Sequence, residues 1–149
     1  MIVARVVSGV SSHFQIRLSE WVMIFPTTGM GVALMGQPAM FSTSPSFAGV
    51  AHVMAQDRWA FLVLLCAVAR LVALTVNGTF SRFRFSPHIR AVASFVGVAF
   101  WGAFASGFFQ SAMAGVGAWS AVVAYSTFVI MEMANVYRAM GDTGGSARR

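Results

Sequence analysis

The chain has 149 residues, of which 58% are hydrophobic and only 9% charged. That balance lies far from the roughly one-quarter charged composition of soluble domains, and it excludes a water-soluble fold that hides its apolar surface. All ten cations are arginines against four carboxylates, a formal charge of +6. These arginines mostly flank apolar stretches rather than line one face, which is orientation by a membrane and not a groove for nucleic acid.

The N-terminal segment MIVARVVSGVSSHF has its short apolar run interrupted by Arg5, so it lacks the uncharged core of a cleavable signal peptide and is expected to stay in the mature protein. A bilayer core takes about 20 apolar residues as a helix. Four windows qualify: residues 18–35, 59–76, 89–114 and 119–137. They predict an all-α, four-helix integral membrane bundle that forms a single transmembrane domain over residues 1–149, with a flexible basic tail at 141–149. Arg5 and Arg17, the loop with Arg82 and Arg84, and the C-terminal Arg138, Arg148 and Arg149 fall on one side under the positive-inside rule, so both termini are expected in the cytoplasm. Trp59 and Trp119 then belong to an outer aromatic belt, and Trp21 and Tyr137 to an inner one.

In the first span, Pro26 is expected to kink the helix, with Thr27 or Thr28 satisfying the freed carbonyls. Glu20, one turn after Arg17, reads as an exposed interfacial partner rather than as a member of a buried cluster. Gly29, Gly31 and Gly36 imitate a phosphate loop but follow no strand. The connection after this span can hold a short interfacial helix near residues 46–55, with Phe47, Val50 and Met54 on one face, or an irregular segment lying over the bundle.

The second span carries Cys66, which reads as small apolar packing, and Arg70. The fourth carries Glu132 and Asn135. An ionisable group in hydrocarbon costs at least about 2.5–3.5 kcal/mol and so tends to be paired. Arg70 lies eleven residues past Trp59 and Glu132 thirteen past Trp119, about 16 and 20 Å along parallel helices. An Arg70–Glu132 ion pair joined by Asn135 is therefore expected, as a structural lock in preference to a proton relay. In the third span, Gly97, Gly102 and Ser106 are the small residues for helix packing, within the chain in preference to between copies. Arg82, Arg84, Arg90 and Arg138 form the expected cytoplasmic basic face, suited to anionic headgroups.

His13, His52 and His88 lack ligand spacing, so neither metal nor cofactor is expected. No nucleophile, base and orienting group converge, and catalysis is not expected. The sequon Asn77-Gly78-Thr79 falls on the expected cytoplasmic side.

The stretches ARLVALTVNGTF, SPHIRAV and MEMANVYRAMGD, and more loosely SPSFAGVAHV, resemble uncharacterised small four-span membrane proteins encoded by tailed bacteriophages of Gram-negative bacteria, over roughly residues 58–142. The resemblance implies a phage origin and the host inner membrane, and it singles out Arg70, Asn77, Gly78, Pro87, Arg90, Glu132, Asn135 and Arg138. It carries no catalytic residues. Its first functional expectation is holin-like host lysis, and the alternative is a non-lytic membrane interaction protein for superinfection exclusion or host-partner binding. A small channel or transporter comes third, since no span face carries several polar groups. The expected partners are the lipid bilayer, a second copy and a host or phage membrane protein, with no nucleic acid.

Overall fold

The computed structural model describes residues 11, 14–79 and 85–146, and within them the chain is helical with no strand. The elements are α1 (Leu18–Gly36), α2 (Met40–Thr43), a 3-10 turn (Pro45–Phe47), α3 (Ala48–Val53), α4 (Gln56–Thr79), α5 (Ser86–Met113) and α6 (Trp119–Ser146). Four of them, α1, α4, α5 and α6, are long and apolar enough to cross a membrane. They run up and down in turn. α1 packs on α4, α4 on α5 and α5 most extensively on α6, which also touches α1.

Helix boundaries follow local chemistry. Pro87 stands in the first turn of α5, where a missing N–H costs nothing. The α5–α6 turn closes through Gly115 at φ 77°, a left-handed position suited to glycine. α1 continues through Pro26, and the Thr27 hydroxyl donates to the Met23 carbonyl at 2.7 Å. α6 runs to Ser146 instead of ending near residue 140, so most of the expected flexible tail is helical. Asp142, held by Arg90 at 2.8 Å, gives that last turn a tertiary anchor.

The segment between α1 and α4 lies over the bundle as short helices. Val50 is fully buried, and Phe47 and Met54 pack against the core. Gly49 and Gly107 allow this approach: a Cβ on Gly49 would stand 2.9 Å from the Gly107 Cα. Gln56 clamps the segment, its amide donating to the Leu34 and Gln37 carbonyls at 2.8 and 2.5 Å while its oxygen accepts from the Phe41 N–H at 2.9 Å. This half of the bundle is filled by aromatic rings. Phe100 and Phe104 lie 4.5 Å apart, Trp101 and Phe128 4.8 Å, and Phe47 and Phe108 5.1 Å.

Trp59 departs from the expected belt. It is 4% exposed, 5.3 Å from Phe100, and its indole donates to the Val50 carbonyl at 3.3 Å. The docked segment covers the position where a lipid interface was expected. Trp119 and Tyr137 are exposed, and Trp21 is partly exposed.

A candidate functional site of buried charges

The other half of the bundle is polar inside. Three of the chain's four carboxylates, Glu20, Glu132 and Asp142, gather there with four arginines. The gathering follows from topology: the start of α1, the end of α4, the start of α5 and the end of α6 share this end of the bundle.

Arg70 of α4 and Glu132 of α6 form a two-pronged pair, with Nη1 to Oε1 at 2.7 Å and Nη2 to Oε2 at 2.8 Å. Both are buried, 2% and 0% exposed. Planar guanidinium against carboxylate is the strong geometry for this contact. Ser94 of α5 accepts a second contact from Arg70 Nη2 at 3.3 Å, and the Asn135 amide donates to Glu132 at 3.3 Å. Asn135 in turn accepts from the Ser19 hydroxyl at 2.6 Å, and Ser19 accepts from Arg138 at 3.1 Å. One polar chain thus connects all four spans.

Glycine makes this possible at one point. A Cβ on Gly97 would fall 2.6 Å from Glu132 Oε1 and 2.8 Å from its Cδ, so α5 must lack a side chain there for the carboxylate to sit between helices. Gly97 therefore packs within the chain as expected of a small residue. Gly102 and Ser106 do not: nothing lies within 4 Å of a Cβ built on Gly102, and Ser106 is exposed. The tight contacts are made by Gly107 and by Gly31, whose Cβ would meet the Leu64 Cγ at 2.6 Å.

A second cluster corrects two expectations. Glu20 is 1% exposed rather than interfacial, and Arg90 is 1% exposed rather than part of a basic face. Arg90 Nε donates to Glu20 Oε2 at 2.6 Å, Nη2 donates to Glu20 Oε1, and Nη1 reaches Asp142 Oδ2 at 2.8 Å. Arg17 approaches the same Asp142 oxygen at 3.6 Å. Burial, and then the neighbouring Arg90, push the Arg17 guanidinium below its ordinary range. Of the other members of the expected basic face, Arg138 is exposed, and Arg82 and Arg84 lie outside the described residues.

Sequence reasoning missed this cluster because Glu20 and Arg90 sit near window edges, where water or headgroups could satisfy each alone. The available signal was arithmetic: four carboxylates against ten arginines in a chain with four apolar, span-length helices leave few interior partners for its arginines.

The geometry spends each of the three carboxylates on a guanidinium. A cavity of about 10 Å³ borders Arg70, Glu132, Thr27 and Cys66, room for about one water. Beyond it stand Phe100 and the aromatic half. Among the described residues no group of three or more His, Cys, Asp or Glu could hold a metal ion.

Among the described residues, these features define an all-helical chain with four helices long and apolar enough to cross a membrane, whose buried charges all lie in one half of the bundle. No protein family, curated protein or solved structure matches the chain.

Proposed function

We propose that this chain is a non-enzymatic, non-lytic interaction protein of a bacterial inner membrane, which presents its lateral faces to a membrane partner rather than passing a solute through its interior. The observation that supports this reading is the filled interior: rings pack one half, and paired charges tie all four spans together in the other. Work done by such a bundle falls to its outside. The α6 helix, of which only 11% of the span window is buried, offers the longest free face. The positive-inside rule supports placing both termini in the cytoplasm, with Arg138 and the loop arginines at the inner headgroups. The phage-like sequence stretches support a role in infection, such as excluding a competing phage.

Holin-like lysis is the second reading, favoured by the same α6 face, which could join copies into a larger lesion. Inducible expression in a bacterium, with membrane potential followed over time, separates the two. Sustained potential and growth, with altered plaque formation by other phages, supports the interaction reading. Abrupt depolarisation overturns it and supports lysis. Reporter fusions after residue 84 and at the C-terminus test orientation, and both are expected to report the cytoplasm.

A further inference from the structure

Along the seam of α1 and α4, at the end of the bundle away from the charge clusters, runs an open apolar groove of about 610 Å³. Its floor is made by Leu34 and Ala60, each 2% exposed, and one wall carries Phe61 and Leu65, which are 70% and 53% exposed. The volume is that of ligand clefts, about 300–1,000 Å³. Along α4 it extends from Asp57 to Val68, eleven residues or about 16 Å of helix rise. One leaflet of a hydrocarbon core is about 15 Å thick. The groove therefore begins at an interface and ends near the midplane, which is the span of one acyl chain.

Its mouth is preformed and charged. Gln56, on the rim, is consumed by its three contacts to the α1 end and to Phe41. Asp57, also lining the groove, is exposed and makes no hydrogen bond or ion pair among the described residues. Arg58, the next residue, is likewise exposed but does not line the groove. A carboxylate at the mouth repels an anionic headgroup and accepts from a primary ammonium. A second copy's apolar helix would leave that carboxylate unanswered.

We propose that this groove binds one phosphatidylethanolamine molecule, an acyl chain lying against Leu34, Ala60, Leu65 and Val68 and its ammonium on Asp57. This goes beyond the functional reading above and holds whether or not that reading does. The lipid belongs to the leaflet at this end of the bundle, so symmetric membranes suffice to test it.

The full chain is reconstituted in nanodiscs of phosphatidylethanolamine and phosphatidylglycerol, released gently into detergent, and weighed by native mass spectrometry. One retained phosphatidylethanolamine is expected, with a preference of about tenfold over phosphatidylglycerol, the scale of one charge-assisted contact. Asp57→Asn, at an exposed position, is expected to abolish the preference, and Leu65→Trp, also exposed, to expel the lipid while the helical circular dichroism stays unchanged. A photo-cross-linking residue at position 65 is expected to label lipid. Equal retention of both lipids, retention unchanged in Asp57→Asn and Leu65→Trp, or cross-linking from position 65 to a second chain would each overturn the proposal.

Discussion

Replacing Arg70 by Met and Glu132 by Leu, singly and together, measures what the buried pair contributes. Each residue is almost wholly enclosed, and the pair exchanges two charge-assisted hydrogen bonds at 2.7 and 2.8 Å. Either single change leaves the other charge stranded, and breaking a buried pair in this way costs about 3–5 kcal/mol. At about 1.4 kcal/mol per decade, that is two to three and a half decades in the folding equilibrium. The double variant removes both charges, and with them an insertion cost of at least about 2.5–3.5 kcal/mol each. Apolar side chains of similar length fill the space, so the double variant should be near wild type or more stable. The cycle therefore predicts that the two changes cancel instead of adding, with a coupling of at least about 6 kcal/mol, the sum of the two single losses. Reversible unfolding in mixed detergent–SDS micelles, followed by far-UV circular dichroism, gives all four stabilities. Neutral hydrogen bonds between membrane helices reach about 1.7 kcal/mol at most. A coupling below that value would refute the lock, because Arg70 and Glu132 would then be behaving as ordinary polar neighbours.

Gly97→Ala drives a methyl to 2.6 Å from Glu132 Oε1 and should cost as much as losing the pair, while adding Glu132→Asp, one methylene shorter, should recover part of the loss in the same unfolding assay. Asp142→Asn removes the carboxylate that Arg90 and Arg17 share and leaves Glu20 to face both guanidiniums, so proteolysis of the α6 end beyond residue 138 should accelerate several-fold, whereas cleavage at the α5–α6 turn should not change. Trp59→Phe keeps the ring but loses the bond to the Val50 carbonyl, a cost of about 1 kcal/mol that should appear as faster hydrogen exchange in α3 than in α5. Gly107→Leu should undock the α2–α3 segment outright, exposing Val50 to a thiol reagent in the variant Val50→Cys.

The four spans are legible in the sequence because hydrocarbon leaves so few alternatives: length, apolarity and the placement of arginines are all dictated by the solvent. The meeting of Arg70 and Glu132 is legible for the same reason, since a charge that deep requires an answer and only one lies at matching depth. Glu20 and Arg90 are ambiguous on this criterion. Near an interface, water competes as a partner, and only the tertiary arrangement of α1, α5 and α6 removes it. Trp59 fails similarly, because indole suits both an interface and a core, and the deciding neighbour, Val50, belongs to a segment that no membrane rule governs. Spacing picks out Gly102 and Ser106 as a small pair but carries no information about which helix faces them; Gly107 and Gly97 do that work in the folded chain.

The sequence separation of the charge partners has a bearing on how the protein is made. Glu132 follows Arg70 by 62 residues and Arg90 follows Glu20 by 70, so neither first member meets its partner until much of the remaining chain has been synthesised. At about 5–20 residues per second, the interval is roughly 3–14 seconds. Throughout that interval the Arg70 guanidinium on α4 lacks its carboxylate, and an unpaired charge in hydrocarbon costs at least about 2.5–3.5 kcal/mol, which favours α4 staying beside water or protein until α6 arrives. Glu20, near an interface, can meanwhile be solvated by water.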